Sequence, residues 1–265
     1  MMNCFQRILD GMNFNFDTSL ASIYKSKSQQ VRVMSESWIT SNMFCPCCGY
    51  PHISGLVNNL PVADMICDNC GAVFELKSKE GKLGKKIPDG AYETMIERIT
   101  SLTNPELFVM QYSRDLAVTH LTMIPSFFFV PEYIEKRKPL AATARRAGWI
   151  GCNILYSNFP KQGRIKIISG GEVAPAKVVV DEYRRVKGIQ AKNITARGWL
   201  LDVLNCVNNV EKKDFSLAEI YSYSDILREK HAENHNIEAK IRQQLQLLRD
   251  KGFIEFLGRG KYRKL

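Results

Sequence analysis

The sequence predicts a mixed α/β domain followed by a smaller helical domain that ends in a β-hairpin. In the first part of the chain, runs rich in β-branched and aromatic residues alternate with helical segments, a pattern typical of helices packed on a mixed sheet. After Lys187 and Gly188 the pattern changes to three helical segments and a basic hairpin. We therefore expect residues 1–190 to form the first domain and residues 191–265 the second.

The composition indicates a globular chain with a polyanionic partner. Hydrophobic residues make up 45% of the 265 residues, and 37 Lys and Arg against 27 Asp and Glu give a net charge of +10. No secretory signal or apolar run of membrane-spanning length is visible, so we expect a soluble, cytoplasmic protein. In such a protein, eight cysteines favour reduced thiols and metal binding over disulfides.

Local patterns predict the elements of the first domain. Helices are expected at residues 19–38 and from a cap at Asp89 to about residue 102. Strands are expected at residues 61–66, 72–77, 108–112, 121–124 and 164–169. The first two strands flank the segment Cys-Asp-Asn-Cys-Gly, which would form the turn of a hairpin.

This hairpin carries an acid followed, after a gap, by Glu-x-Lys, the pattern that nucleases use to hold a divalent metal beside a phosphodiester. Asp64 lies on its first strand, whereas Glu75 and Lys77 lie two residues apart on its second and so point to the same face. A turn centred on residues 68–69 would make Glu75 the diagonal neighbour of Asp64, and a turn centred on residues 69–70 would place the two directly opposite. Both registers bring the three side chains together, whereas a half-step register would separate them.

Asp64 and Glu75 offer the hard oxygen ligands that Mg²⁺ prefers. The metal lowers the pKa of a bound water and neutralises charge on the phosphate, and Lys77 would orient or deprotonate that water and stabilise the charged transition state. Lys79 shares the face and is the alternative to Lys77. Taken alone, this pattern is often only a set of solvated charges on an exposed strand, so its position on the hairpin is what favours catalysis.

Two Cys-x-x-Cys pairs, Cys45 with Cys48 and Cys67 with Cys70, predict a structural zinc site. Eighteen residues separate the pairs, and a glycine follows each of them. Four thiolates fill the coordination sphere of Zn²⁺, so the metal would clamp the chain and, because the second pair forms the hairpin turn, fix the strand register. This spacing leaves Cys47 out, and the alternative is four buried cysteines whose spacing is coincidental.

A glycine-flanked tryptophan follows two arginines in the later part of the first domain. Arg145 and Arg146 are suited to clamping phosphate or a guanine edge, and the indole of Trp149 offers a flat apolar surface. This pattern predicts a loop that enters DNA. The alternative is that Trp149 belongs to the core.

Three helices followed by a hairpin predict a winged helix at the C-terminus. The helices are expected at residues 195–207, 216–227 and 236–251, and the strands of the hairpin at residues 253–257 and 261–264. The third helix has an apolar face and an outer face of amide and basic groups, which suit base edges in the major groove. The candidate DNA-binding residues of this domain are Asn236, Lys240, Arg242, Gln243, Arg259 and Lys261. The alternative is a winged helix that contacts proteins.

Together these segments resemble the DpnI-type methyl-directed restriction endonucleases, which cut GATC when its adenines carry N6-methyl groups. The resemblance runs from about Tyr24 to the last residue. It is densest at residues 61–64, 74–79, 89–92, 144–153, 241–246 and 258–265. The chain departs from the wider nuclease superfamily at Ala63, where proline is usual, and this removes no ligand or catalytic group.

The resemblance implies a PD-(D/E)xK nuclease domain with a structural zinc, joined to a winged helix that also reads methylated GATC. It casts Asp64, Glu75 and Lys77 as the catalytic set, the four paired cysteines as zinc ligands, and the Trp149 loop as the sensor of the methyl groups. The partner implied is double-stranded DNA with N6-methyladenine in GATC. The enzyme implied is a bacterial monomer that cuts this DNA with Mg²⁺ and without a small-molecule cofactor. A non-catalytic reader of methylated DNA is the competing hypothesis, but it would have no use for the Asp64, Glu75 and Lys77 set.

Overall fold

Residues 12–56, 63–190 and 193–265 are described by the computed structural model, and the chain divides into two units. The first unit comprises the chain up to Asn158 together with Gln162–Val186. The second comprises Phe159–Lys161 and Lys187–Leu265. None of the helices within the described residues combines the length and apolarity needed to cross a bilayer.

The first unit contains strands β1 to β10 and most of three helices. Its strands are β1 (Ser54–Gly55), β2 (Met65–Ile66), β3 (Val73–Glu80), β4 (Ile87–Ala91), β5 (Glu106–Tyr112), β6 (Val118–Ile124), β7 (Ile134–Lys136), β8 (Gly151–Ile154), β9 (Ile165–Ser169) and β10 (Glu172–Val173). The helices are α1 (Lys27–Asn42), α2 (Tyr92–Thr100) and α3 (Ala176–Lys187).

Two sheets divide these strands. The larger has the order β1-β2-β3-β5-β6-β9-β10, and the smaller has the order β4-β8-β7. Within the larger sheet β3 and β5 are parallel and the other neighbours are antiparallel. A parallel pair needs a crossover, and here the chain leaves β3, adds β4 to the smaller sheet, and returns through α2 to β5.

The core of the first unit fixes the position of β3. The ring of Phe74 on β3 stacks on that of Phe108 on β5, with centroids 4.9 Å apart, and both side chains are fully buried. Phe74 thus points into the core while its neighbours Glu75 and Lys77 do not, as the alternation of a strand requires. Helix α1 is anchored in the core by the buried Trp38 and Ile39. It ends at Asn42, shortly before the first cysteine pair.

The described part of the second unit contains four helices, two of them short, and a C-terminal hairpin. Its elements are α4 (Ile194–Asn209), β11 (Asp214–Ser216), α5 (Leu217–Tyr221), α6 (Ser224–Lys230), α7 (Ile237–Asp250), β12 (Ile254–Gly258) and β13 (Lys261–Lys264). The three strands form a sheet in the order β11-β13-β12. On α7, one face is buried as the sequence predicts, through Ile237, Ile241, Leu245 and Leu248.

The predicted fold class is confirmed, with a mixed α/β unit, a cysteine cluster and a C-terminal winged helix. Three local predictions are corrected. The helix expected at residues 19–38 is a 3₁₀ turn at Thr18–Ala21 followed by the separate helix α1. The second helix of the winged helix is split into α5 and α6, which are separated by Ser222 and Tyr223. Ser216 caps α5 as expected. Pro61 and Val62, at the start of the first hairpin strand, lie outside the described residues.

The third correction concerns Asp89, which does not cap a helix. Helix α2 begins at Tyr92 after Ala91, and Asp89 lies in β4, where it pairs with Cys152 of β8. Asp89 follows Pro88, whose missing N–H and fixed φ suit an edge strand such as β4. The ladder to β8 therefore outcompetes the local capping tendency of an aspartate.

Candidate active site

The register of the β2–β3 hairpin sets the candidate site. Met65 lies opposite Phe74, so the turn is centred on residues 69–70. This turn is the second of the two that the sequence allows, but the direct pairing of Asp64 with Glu75 that it would give is not formed. Asp64 lies just before β2 and its amide donates to the Phe74 carbonyl at 2.9 Å, so Asp64 and Met65 both lie opposite Phe74, as in a β-bulge.

The Asp64 carboxylate lies at the edge of β3. Its Oδ2 accepts a hydrogen bond from the Leu76 amide at 2.8 Å, and its Oδ1 lies 3.9 Å from Nη2 of Arg32 on α1. Arg32 also binds Glu36 at 2.6 Å, and burial raises the pKa of the Glu36 carboxyl. Among the described residues no ion pair joins Asp64 to Lys77, so these two are linked through the backbone of Leu76.

Glu75 and Lys77 are in direct contact on one face of β3. Lys77 Nζ lies 2.6 Å from Glu75 Oε1, and the same ammonium also binds Asp89 Oδ1. The three side chains are largely buried, with exposed fractions of 16% for Glu75, 25% for Lys77 and 5% for Asp89. The structure thus joins two members of the predicted catalytic set and adds a carboxylate that the sequence did not assign to it.

Burial and charge act in opposite directions on these groups. Burial raises the pKa of the Glu75 carboxyl; Lys77 opposes this shift, and Asp89 reinforces it. Burial by itself lowers the pKa of the Lys77 ammonium, but the charges of Glu75 and Asp89 outweigh it and hold that pKa above its usual range. Lys77 is therefore a charged hydrogen-bond donor in this structure.

Two further side chains of the site were missed from the sequence. Arg98 of α2 places Nη1 3.9 Å from Glu75 Oε2, and Asp89 reaches Lys77 from the smaller sheet. Arg98 gave no signal because it lies on the polar side of an ordinary amphipathic helix. Asp89 was predicted to cap a helix, so the sequence did not place it in the site.

The four predicted cysteines converge in a geometry that fits a tetrahedral metal. Sγ of Cys45 lies 3.7 Å from that of Cys70, Sγ of Cys48 lies 3.7 Å from that of Cys67, and all four Sγ atoms lie within 4.8 Å of one another. Zinc–sulfur bonds of about 2.3 Å place tetrahedral thiolates about 3.8 Å apart. The donor set and its spacing therefore fit Zn²⁺ in a closed, structural site.

Local backbone geometry builds both halves of this cluster. Gly49 and Gly71, which follow the pairs, have φ angles of 85° and 70°, and their amides donate to the carbonyls of Cys45 and Cys67 at 2.8 and 2.9 Å. Burial raises the pKa of the Cys48 thiol, but hydrogen bonds from the Asn69 side chain and other donors lower it to about 7. Such donors stabilise the thiolate form that binds metals.

Cys47 stands outside the group of four, as the spacing predicts. It contributes instead a hydrogen bond that raises the pKa of the Cys45 thiol, and it also contacts Tyr183 of α3. Cys47 therefore contacts the cluster without belonging to it, and its hydrogen bond favours the thiol form of Cys45 rather than the thiolate.

The loop before β8 carries the exposed arginines Arg145 and Arg146. The guanidinium of Arg146 lies over the indole of Trp149, 4.6 Å from its centroid. Trp149 is half-buried rather than a core residue, and its ring lies close to Gly151, where an added Cβ would lie 2.7 Å from it. The amide of Leu140 donates to the carbonyl of Trp149, which closes the loop at its base.

The outer face of α7 gathers most of the candidate residues of the second unit. Asn236, Lys240 and Gln243 line one shallow depression of about 350 Å³. Arg242 is exposed beside them and binds the hydroxyl of Tyr221. The structure thus groups three of the residues that the sequence places on the outer face of this helix.

The turn between β12 and β13 contains a strained arginine. Arg259, between two glycines, has a φ of 47°, a left-handed conformation that costs a side-chain-bearing residue free energy. It is exposed, as is Lys261, which begins β13. The turn therefore presents basic side chains to solvent at the tip of the hairpin.

The cysteine geometry makes a testable prediction. We expect the purified protein to contain about one zinc ion per chain, and Cys70→Ser to lose it and to lower the unfolding midpoint by about 10 °C, because metal binding and folding are coupled. Cys47→Ser is the matched control and should keep both the metal and the midpoint. Elemental analysis and thermal denaturation measure these quantities, and full zinc content in Cys70→Ser would contradict the assignment.

Comparison with protein families covers both units. The model of the Dam-replacing family, DpnI, matches residues 12–192, and the model of the Dam-replacing HTH domain, DpnI_C, matches residues 195–264. The matched regions contain the β2–β3 hairpin, the cysteine cluster and the C-terminal hairpin. The chain therefore belongs to the Dam-replacing family of DpnI-type proteins, and this membership supports a DNA-binding, methylation-dependent restriction endonuclease.

Proposed function

We propose that the chain is a type II site-specific deoxyribonuclease that hydrolyses double-stranded DNA at GATC sites containing N6-methyladenine, with Mg²⁺ as the catalytic ion. The contact of Glu75 with Lys77, beside Asp64 and on a hairpin whose turn belongs to the cysteine cluster, carries this proposal. Residues 1–190 act as the endonuclease domain and residues 191–265 as the winged-helix reader, in one chain that acts as a monomer.

Asp64 and Glu75 are the residues that would hold magnesium. They offer hard oxygen ligands, one just before β2 and one on β3, and their side chains keep exposed fractions of 22% and 16%, so water could reach a bound ion. The hydrogen bond from the Leu76 amide fixes the direction of the Asp64 carboxylate, as outer contacts do for metal ligands. When bound, magnesium supplies a water of lowered pKa and neutralises charge on the phosphate.

Lys77 acts as a hydrogen-bond donor rather than as a base. Two carboxylates surround its ammonium and keep it charged, so it is poised to orient water and to stabilise negative charge on a phosphate. Of the two roles that the sequence left open for Lys77, orientation and charge stabilisation agree with this environment. Lys79, the alternative, is exposed and has no ion pair among the described residues.

The cysteine cluster acts as a structural zinc site and not as a catalytic one. Four thiolates leave no coordination position for water or substrate. The contribution of the metal is to hold the turn between β2 and β3, and with it the register in which Met65 pairs with Phe74.

The Trp149 loop supports discrimination of methylated sites. N6-methyl groups lie in the major groove, and burying one against an apolar surface contributes about 1 kcal/mol. The indole lies close to Gly151 and beneath the Arg146 guanidinium, so an apolar ring and a cation meet in a loop that also carries the exposed Arg145. Since one methyl contact discriminates modestly, reading by both domains increases the selectivity.

The winged helix supports a second reading of the same site. Asn236, Lys240 and Gln243 converge on α7, and Arg242 lies beside them, which suits adenine and guanine edges. The exposed Arg259 and Lys261 would bind phosphate from the hairpin tip, the usual position of a wing. The strained φ of Arg259 favours function, because glycine would fit that backbone without strain.

One digestion experiment tests the proposed function. Plasmid from a host that methylates GATC and plasmid from a host that does not are incubated with the protein and Mg²⁺. We expect cutting at GATC in the methylated plasmid alone, and we expect Lys77→Ala to lower the rate by about 100-fold or more because it removes a donor to the reacting phosphate.

Lys79→Ala is the matched control, since it removes an exposed lysine from the same strand face. It should cut at the parent's rate. Methylated DNA that is bound but never cut by the parent would instead identify a non-catalytic reader, and normal cutting by Lys77→Ala would remove that residue from the site.

A second prediction concerns Trp149. We expect Trp149→Ala to lower the ratio of cutting rates on fully methylated and unmethylated GATC by about fivefold or more, the effect of losing one methyl contact. Leu140→Ala, which shortens another apolar side chain of the loop, should leave the ratio unchanged. Single-turnover rates on two synthetic duplexes give the ratio, and an unaltered ratio in Trp149→Ala would refute the sensing role.

A third prediction separates stability from DNA binding at Arg259. We expect Arg259→Gly to raise the free energy of unfolding of the second unit by about 0.5–1 kcal/mol, because the left-handed strain is relieved. The same change should lower the slope of log binding constant against log salt by about 0.9, the effect of one lost phosphate contact. Arg259→Ala should lose the contact without gaining stability, and a salt slope that stays constant in both variants would contradict phosphate binding.

A further inference from the structure

We propose that Asp89 is a positioning residue that holds the Lys77 ammonium beside the reacting centre and remains its partner while Glu75 serves as a metal ligand. The effect on cutting rests on the proposed function, whereas the contact between Asp89 and Lys77 does not depend on it. Asp89 comes from the smaller sheet, whereas Glu75 and Lys77 belong to the larger one.

The Asp89 carboxylate is buried and accepts a hydrogen bond from an ammonium. Its side chain is only 5% exposed, and its Oδ1 accepts hydrogen bonds from Lys77 Nζ and from the Gly90 amide, the latter at 2.7 Å. Its Oδ2 is buried and has no hydrogen-bond partner among the described residues. A desolvated carboxylate oxygen without a donor is unfavourable in a folded protein. We therefore infer a functional role for the Asp89 carboxylate.

The backbone aims Asp89 at Lys77. In the ladder between β4 and β8, Asp89 pairs with Cys152 and Ala91 pairs with Gly151, so the register shifts at Gly90. Such a bulge inserts an extra residue and redirects the neighbouring side chains, and bulges are frequent beside active sites. The irregularity lies directly next to the carboxylate that reaches Lys77.

Under the proposed function Glu75 would have to bind both a metal ion and the Lys77 ammonium, and a second carboxylate removes this competition. A single carboxylate that ligates a cation accepts weakly from an ammonium, and Arg98 already lies 3.9 Å from Glu75 Oε2. Lys77 has three N–H donors, of which Glu75 and Asp89 now receive two. The unpartnered Oδ2 of Asp89 offers the further acceptor that keeps the ammonium in place when Glu75 turns away.

The test compares Asp89→Asn with Glu135→Gln in the full chain. Asp89→Asn removes one charge from the smaller sheet, and Glu135→Gln removes a charge from the same sheet where Glu135 pairs with the exposed Lys86. We expect Asp89→Asn to lower the single-turnover rate on methylated duplex by roughly 10- to 100-fold through misplacement of Lys77, with the dissociation constant in Ca²⁺ within about twofold of the parent. Glu135→Gln should keep the parent's rate within about twofold.

A readout independent of activity follows the lysine itself. Brief acetylation with mass spectrometry should show Lys77 reacting several-fold faster in Asp89→Asn, while Lys79 reacts at an unchanged rate and serves as the internal reference. Asp89→Glu, which keeps the charge on a longer arm, should recover part of the cutting rate. Parental cutting with parental Lys77 acetylation in Asp89→Asn would overturn the proposal, as would equal losses of rate and binding.

Folding and function are kept separate in this design. Should circular dichroism show that Asp89→Asn does not fold, Asp89→Glu decides: a changed rate with changed Lys77 acetylation supports the role, and unchanged values of both overturn it. Should the parent fail to cut methylated DNA, the proposed function fails, but the acetylation rate of Lys77 still tests the contact with Asp89.

Discussion

Convergence of four thiols on one point is the constraint on which the candidate site depends. Cys67 and Cys70 form the turn between β2 and β3, and Cys45 and Cys48 tie that turn to the end of α1. A slip of one residue in a hairpin turns every side chain to the opposite face, which would exchange Phe74 in the core with Glu75 at the site. Strand β2 has only two residues, and a hairpin this short could not fix its register alone. The cysteine cluster therefore holds the strand register.

Elements with strong local patterns could be predicted from the sequence. The period-2 alternation of β3 correctly separates Phe74 from Glu75 and Lys77, and the 3.6-residue period of α7 correctly gives its buried face. The cysteine cluster was predictable because ligand spacing in Cys-x-x-Cys pairs is a local property, and only the contacts between the two pairs needed the fold. Register remained open between two arrangements until the pairing of Met65 with Phe74 decided it.

Contacts that join distant strands and helices could not be predicted. Asp89 reaches Lys77 from another sheet, and Arg98 reaches Glu75 from a helix that follows, so neither contact leaves a period or motif in the sequence. The helix-cap interpretation of Asp89 was wrong for a physical reason, since pairing with Cys152 across the ladder overrides a single-residue preference. The arginine over Trp149 was equally invisible, because a cation and a ring three residues apart in a loop need not meet.

The smaller sheet connects two parts of the molecule that the sequence keeps apart. Strand β8 starts directly after the Trp149 loop, the Tyr92 amide donates to the Ile150 carbonyl, and Asp89 is paired with Cys152 one strand away. Hydrogen-bonded backbone therefore runs from the base of the loop to the Asp89 carboxylate that binds Lys77. Under the proposed function, recognition of a base by this loop and positioning of Lys77 would be linked over a path only a few peptide units long.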